Sequence, residues 1–152
     1  MADKFKYVIH IRSTPEEVFN ALFSEKSVRE CWCGCWHDCA WTKGASWKLM
    51  IPDGRIGDAG EVLEIDAPHH LVLSWRNEFI PEMKAEEYSR CTVDLVTSQG
   101  AVKLTLTHEM ERENSKLIAG VSEGWPGILC SVKSFLETGE PLEETKRWPE
   151  GM

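Results

Sequence analysis

Apolar and polar residues alternate along several short segments of the chain, which is the pattern of strands that bury one face. The first segment runs from Phe5 to Ile11. The others follow in the middle of the chain, separated by turn signals such as Pro52-Asp53-Gly54; they cover residues 47–51, 60–65, 71–75, 91–95 and 102–108. The pattern predicts one N-terminal strand and about six antiparallel strands further along.

Helical spacing of apolar residues appears directly after the first strand. Residues 13–22 open with hydroxyl residues that can cap a helix and with Pro15, which suits its first position. A second short helix is predicted from Glu25 to Glu30. Two short helices therefore separate the first strand from the others.

The C-terminal region predicts one long amphipathic helix. Its first segment runs from Ser115 to Glu123, and Gly124-Trp125-Pro126 breaks or kinks it because proline removes a helical donor. Apolar residues then recur at spacings of three and four from Ile128 to Leu136, and Gly139 suits a C-terminal stop.

A run of strands followed by a terminal helix indicates an α+β domain. A curved antiparallel sheet with one apolar face must cover that face, and the long C-terminal helix is the only predicted element that is long enough. We expect a single domain over residues 1–142. Residues 143–152 form a charged tail, expected to be loose, in which Trp148 could dock.

Composition narrows the classes of function. The 152 residues suit one core, and the net charge of -8 argues against a nucleic-acid partner, which needs a basic face. Residues 1–12 lack the pattern of a signal peptide, and no run of about 18 apolar residues could span a membrane. We therefore expect a cytoplasmic protein whose six cysteines are thiols or metal ligands.

Several segments together resemble a known superfamily. The segment Ser13 to Leu22 is similar to the opening helix of START-like (SRPBCC, Bet v 1-like) proteins. Gly60 to Ile65 and Leu71 to Trp75 resemble central strands of the branch that includes the activator of heat-shock protein 90 ATPase. The closest similarity is Gly124 to Leu129, continued by Leu136 to Leu142. The order and spacing of these pieces cover almost the whole chain.

The resemblance implies a helix-grip fold, in which a seven-stranded antiparallel sheet wraps around the C-terminal helix and leaves a cavity. Members bind diverse apolar molecules, such as polyketides, flavonoid-like compounds, sterols and lipids. The branch takes its name from a co-chaperone, an activity that fold alone does not transfer. Residues Cys31 to Cys39 depart from the family pattern.

Seven tryptophans in a small domain indicate a wide apolar interior or a pocket. Trp47 and Trp75 have inward parity on strands, and Trp125 lies at the interruption of the gripping helix. For each of them, plain core packing is the alternative. The predicted ligand-binding residues are Trp41, Trp47, Leu73, Trp75, Val93, Leu106, His108, Trp125 and Leu129.

His108 falls on the apolar parity of its strand. We interpret it as a core histidine with satisfied partners; the alternative is a hydrogen bond to a ligand. No catalytic residue is assigned, because no second titratable residue has a clear inward position. In particular, Asp58-Ala59-Gly60 is interpreted as a turn.

The segment Cys31 to Cys39 places four cysteines and His37 on one parity, so an extended strand would line them on one face. Such alternation spreads the side chains too widely for one metal ion. We favour thiols at a pocket entrance over a zinc or iron site, with a redox-sensitive pair as the third alternative.

These observations favour a carrier or sensor for a small apolar or aromatic molecule, without cofactor or metal. A cyclase or hydratase that uses the same cavity, with His108 as acid or base, is the alternative enzyme. A co-chaperone-like interaction module is the third hypothesis. A homodimer and a chaperone partner are left open.

Overall fold

The computed structural model describes residues 2–23 and 29–152. Within those ranges, seven strands form a single antiparallel sheet. They are β1 (Asp3–Ile11), β2 (Trp36–Cys39), β3 (Ser46–Met50), β4 (Ile56–Asp66), β5 (His70–Asn77), β6 (Ser89–Ser98) and β7 (Ala101–Met110). Their order across the sheet is β1-β7-β6-β5-β4-β3-β2, so each of the last six strands pairs with its neighbour in the chain.

The helices of the described residues are α1 (Pro15–Phe23), α2 (Pro81–Lys84), α3 (Lys116–Thr138) and a 3₁₀ turn at Glu143–Thr145. The long helix α3 packs against β1 and β7 and buries Trp125 and Leu129 against the sheet. The α+β helix-grip fold predicted from the sequence is confirmed.

Helix α3 has defined signals at both ends. The Ser115 hydroxyl accepts a hydrogen bond from the Ile118 N–H (3.1 Å), and Gly139 ends the helix with a φ of 89°. The helix continues through Pro126, so of the two predicted alternatives, a break or a kink, the break is wrong. Buried side chains on both sides of Pro126 hold the two halves on the same sheet, which outweighs the lost backbone hydrogen bond.

The strand pattern predicted five of the six strands after α1; four of them are longer in the structure by a few residues, and β3 is shifted by one residue from the predicted range 47–51. The sixth, β2, belongs to the cysteine segment, where one continuous extended strand is the wrong interpretation. A helical turn ends at Cys31, the backbone reverses at Cys33 (φ 58°) and Gly34 (φ 85°), and only Trp36–Cys39 pairs with β3. The predicted helix from Glu25 to Glu30 falls largely outside the described residues.

The expected turn at Asp58-Ala59-Gly60 is also wrong, because β4 runs through all three residues. Gly60 permits this course. A Cβ at Gly60 would lie 1.8 Å from the Ser74 carbonyl oxygen of β5, so only glycine allows the two backbones to approach this closely. Asp58 therefore lies within the sheet, paired with Leu49 of β3 and Asn77 of β5, and not in a turn between strands.

The C-terminal tail packs on the domain, so the expectation of a loose tail does not hold. Thr145 is buried, and its hydroxyl contacts the hydroxyl of Ser131 on α3 (2.6 Å). The docking of Trp148 occurs against the ring of Phe79, with ring centroids 5.7 Å apart. In the ranges that the structure covers, no helix is long and apolar enough to cross a membrane.

Candidate functional site

A cavity of about 260 Å³ lies between the sheet and the first half of α3. The segment around α2, the C-terminal tail and the cysteine turn all contribute side chains to its wall. Its wall includes the side chains of Trp32, Cys33, Cys35, Asp58, Trp75, Asn77, Phe79, Met83, Val121, Trp125 and Trp148. The predicted location, between sheet and C-terminal helix, agrees with this cavity.

Four tryptophans dominate the cavity wall. The rings of Trp32 and Trp75 each meet the ring of Trp125 edge to face, with centroid distances of 5.2 and 5.6 Å. Trp148 contributes the fourth ring from the tail. Edge-to-face contact fixes the position of each ring, so the wall is rigid and aromatic.

The indole N–H groups of the described tryptophans fall into two sets. Two of them are bound to histidines: Trp47 donates to Nδ1 of His37 (2.9 Å), and Trp125 donates to Nδ1 of His108 (3.2 Å). By contrast, the buried N–H groups of Trp32, Trp75 and Trp148 have no hydrogen-bond partner within the part of the chain described. These three tryptophans contribute to the cavity wall, but their indole nitrogens are not accessible from the cavity.

Asp58 and Asn77 form the polar end of the cavity. The amide nitrogen of Asn77 donates to Oδ1 of Asp58 (3.2 Å). The amide oxygen of Asn77 accepts the backbone N–H groups of Phe79 (3.2 Å) and Ile80 (2.8 Å), which fixes its orientation. Both side chains are almost fully buried.

Burial raises the pKa of Asp58 to about 7, because an ionised carboxylate is poorly solvated there. The indole of Trp75 and the amide of Asn77 oppose this shift, and the nearby Glu78 adds to it. The Trp75 N–H acts on the carboxyl without reaching hydrogen-bond geometry. Asp58 therefore titrates near neutral pH inside an apolar cavity, as general acids and bases often do.

Of the nine predicted ligand-binding residues, Trp75 and Trp125 line the cavity. The other seven lie outside its wall; they are Trp41, Trp47, Leu73, Val93, Leu106, His108 and Leu129. Six of these are buried in the core between the sheet and the helices. Trp41 packs against Phe19 and Phe23 of α1 instead.

His108 has both ring nitrogens satisfied inside the core. Nδ1 accepts from Trp125, so Nε2 carries the hydrogen and donates to the Ser89 hydroxyl (2.8 Å), which in turn donates to the Trp75 carbonyl (2.8 Å). Burial lowers the pKa of His108 to about 3. This is the satisfied core histidine, and it holds Trp125 and Trp75 in place.

Comparison with known proteins gives the family. Residues 12–137 match the model described as "Activator of Hsp90 ATPase homolog 1-like protein". The chain belongs to this family. The resemblance inferred from the sequence is thereby confirmed, while no curated protein sequence matches the chain.

Solved structures show the same fold as this family member. The Aha1 dimer from Colwellia psychrerythraea is 18% identical, with a TM-score of 0.71 over 90% of this chain and 98% of the other. CalU16 from Micromonospora echinospora is 17% identical, with a TM-score of 0.71 over 91% and 78%. PFC0360w, an HSP90 activator from Plasmodium falciparum, is 22% identical, with a TM-score of 0.69 over 91% and 97%. At these identities the likeness establishes the fold alone.

Sequence reasoning missed Asp58 and Asn77. Asp58 lies in a segment that was expected to be a turn, so it was not considered as an inward-pointing residue. The expectation that no second titratable residue points inward is therefore wrong. The sequence does contain a signal. The segment around Asp58 and Gly60 lacks proline, and a glycine inside a strand often marks a close approach of two backbones. A strand through both residues is therefore an alternative to a turn. The tail and the segment around α2 could not be placed, because their contacts are long-range.

The cysteine turn contributes Cys33 and Cys35 to the cavity wall, as thiols at a pocket entrance would. Burial raises the pKa of both, that of Cys35 to about 12. Thiols with raised pKa values are poor nucleophiles, which disfavours the redox-sensitive pair. Among the described residues, no three metal-ligating side chains of His, Cys, Asp or Glu converge on one point.

We expect that protein purified under reducing conditions will carry substoichiometric zinc and that EDTA will leave its melting temperature unchanged. The reason is that a structural zinc needs four converging ligands, and its binding energy would then be part of the folding energy. Elemental analysis after dialysis measures the metal. Stoichiometric zinc whose removal unfolds the protein would contradict this prediction.

Proposed function

We propose that the chain is a carrier or sensor that binds a small apolar or aromatic molecule in the cavity between the sheet and α3. One observation carries the proposal: four tryptophans form an aromatic wall around an open pocket of about 260 Å³ that no protein side chain fills. Concave, mostly apolar pockets with a few polar groups are the usual sites of small-molecule binding, so this lining favours a ligand. The cavity is open to solvent, so a ligand can enter it without displacement of the segment around α2.

Ligand binding is tested by thermal shift and by tryptophan fluorescence with two-ring aromatic ketones, flavonoids and fatty acids. A ligand at about 100 times its Kd should stabilise the protein by about 2.7 kcal/mol and quench the cavity tryptophans. Val121→Trp, which fills the cavity from α3, should abolish both signals. Glu123→Trp, at an exposed position two residues later, is the matched control and should retain them. If no compound shifts either signal, the carrier proposal fails.

An enzyme in the same cavity is the second candidate, favoured by the raised pKa of Asp58. Asp58 replaces His108 as the acid or base, since His108 lies outside the cavity and has both ring nitrogens bound. A cyclase or hydratase must move protons next to a carbonyl group. The test is exchange of the methyl protons of 2-acetylnaphthalene in D₂O, followed by NMR. A rate equal in wild type and Asp58→Asn would exclude Asp58 as that base.

Two further expectations rest on the names of structural relatives. The Colwellia protein is described as a dimer, and the Plasmodium protein as an HSP90 activator. They support the homodimer and the chaperone partner for this chain as proposals. Sedimentation equilibrium tests the first, and stimulation of ATP hydrolysis by purified Hsp90 tests the second.

A further inference from the structure

Strand β1 forms one edge of the sheet. It pairs with β7 on one side, and within the part of the chain that the structure describes no strand pairs with its other side. An unpaired edge presents a row of backbone N–H and C=O groups that can bond to another chain. The hydrogen-bond pattern of the sheet shows which residues of β1 present these groups.

The free backbone groups belong to the even-numbered residues of β1. The two-residue turn between β6 and β7 makes Ser98 and Ala101 a hydrogen-bonded pair, so odd-numbered residues of β7 bond to β6 and even-numbered ones to β1. The even-numbered residues of β7 lie opposite odd-numbered residues of β1. The residues whose backbone groups point away from β7 are therefore Lys4, Lys6, Val8 and His10.

Helix α3 covers one end of this edge and leaves the other end open. Lys133 donates to the carbonyl oxygen of His10 (2.6 Å), and the Arg12 N–H donates to Glu137 (2.8 Å). No hydrogen bond from another described residue reaches the outward backbone groups of the segment Lys4–Val8, which is the open edge. This segment is thus available to an added strand.

The side chains along the open edge are exposed, and two of the three on the outer face are basic. Glu109 of β7 lies opposite Lys4, but neither Lys4 nor Lys6 forms an ion pair with a described residue. Val8 follows on the same face and is 42% exposed. Two unpaired lysines thus accompany free backbone groups in a chain with a net charge of -8. Opposite charges on paired strands stabilise the pairing, so the open edge favours acidic side chains opposite its lysines.

A groove separates β1 from the start of α3 beside the open edge. Phe5 borders it on the strand, and Ile118 and Ala119 border it on the helix. The inner side chains of an added strand would stand over this groove, next to the stacked rings of Phe5 and Tyr7 (centroid distance 6.1 Å). A matching strand therefore has apolar or β-branched residues on its inner side and acidic residues on its outer side.

A second copy of the chain fits the open edge less well than an acidic strand. Two-fold symmetry makes self-pairing of β1 antiparallel. Every register that includes both lysines then places Lys4 or Lys6 opposite another lysine or His10. Like charges opposite each other destabilise paired strands, and lysine on an edge strand opposes self-association. The same lysines attract an acidic segment.

We propose that the open edge of β1 binds an extended acidic segment of a partner protein by strand addition. The segment runs antiparallel to β1, with acidic residues opposite Lys4 and Lys6 and an apolar residue opposite Val8. Backbone hydrogen bonds supply affinity, and the lysines select the charge. The open edge lies outside the cavity, so this inference does not depend on the proposed ligand binding.

The probe is a peptide with the core Val-Thr-Glu-Val-Glu, whose glutamates fall opposite Lys6 and Lys4. Fluorescence anisotropy with an uncharged dye measures its Kd for the full chain, which should rise with ionic strength. The peptide Val-Thr-Lys-Val-Lys is the matched control and should bind more weakly. Non-specific attraction to a chain with a net charge of -8 would favour the lysine peptide, so preference for the glutamate peptide reports the local lysines.

Reversal of the two charges should reverse this preference. Lys4→Glu/Lys6→Glu should weaken the glutamate peptide about tenfold and bind the lysine peptide in its place. Gain of a ligand cannot result from failure to fold. Lys43→Glu/Lys103→Glu, at exposed positions outside the open edge, changes the net charge equally and should retain the wild-type preference.

N-methylation of the glutamate peptide tests the backbone pairing. A methyl group on the nitrogen of the glutamate opposite Lys6 removes a hydrogen bond to β1 and should abolish binding. A methyl group on the next residue, the valine opposite Phe5, points away from β1 and should leave the Kd nearly unchanged.

Equal Kd values of the glutamate and lysine peptides, or no binding of either, would overturn the proposal. Equal loss of binding on N-methylation at the two positions would exclude strand addition. A dimer in sedimentation equilibrium that Lys4→Glu/Lys6→Glu abolishes would show that a second copy occupies the open edge, and it would overturn the acidic partner.

Discussion

Replacing Trp75 by alanine should lower the free energy of unfolding by about 3–5 kcal/mol. The ring is almost fully buried, and it contacts Trp47 (centroid distance 4.4 Å), His108 (5.2 Å) and Trp125 (5.6 Å). Its removal enlarges the existing cavity and deletes three ring contacts at once. Urea unfolding monitored by far-UV circular dichroism gives the change, because that signal does not depend on the deleted fluorophore.

Trp36→Ala is the matched control for this prediction. Trp36 lies at the start of the edge strand β2, is only half-buried, and has the Arg29 guanidinium above its ring at 5.6 Å. Its loss should cost about 1 kcal/mol or less. Equal destabilisation by the two substitutions would show that Trp75 has no special place in the packing between sheet and helix.

The sheet was predictable because one of its faces is buried. Alternation with a period of two is imposed on every strand that contacts α3, and a shift by one residue would expose the whole apolar set. The start of strand β2 was not predictable, because the alternating pattern continues from β2 back through Cys31–Cys35, where the backbone turns at Cys33 and Gly34. Residue parity holds only while the chain stays extended, and parity cannot show where extension ends.

The cavity was less predictable than the fold, because parity separates inside from outside but not core from cavity wall. Trp47 and Trp75 both face inward, yet only Trp75 borders the cavity. The difference arises from the distant elements that complete its wall, which are the segment around α2 and the tail with Trp148. Their positions depend on contacts far apart in the sequence, such as that between Ser131 and Thr145, which no local pattern reveals.

Asp58→Asn should stabilise the protein at pH 8 and leave its stability unchanged near pH 4. The pKa of Asp58 is raised from 3.8 to about 7 in the folded state. Between these values the folded state binds more protons than the unfolded state, so the free energy of unfolding falls as pH rises and levels off above pH 7. At about 1.4 kcal/mol per pKa unit, we expect a gain of about 2–4 kcal/mol at pH 8.

The difference between wild type and variant isolates Asp58 from the other buried titratable groups. His37 and His108, whose pKa values burial lowers to about 3, act in the opposite sense: stability is lost as pH falls from 6.5 towards 3. Both histidines are present in the two proteins and cancel in the comparison. Asp66→Asn, at an exposed position on the same strand, is the matched control for the replacement of a carboxyl group by an amide. Urea unfolding at pH 4.5, 6 and 8 gives the three curves. An Asp58→Asn curve parallel to wild type across this range would mean that Asp58 is ionised in the folded protein throughout it.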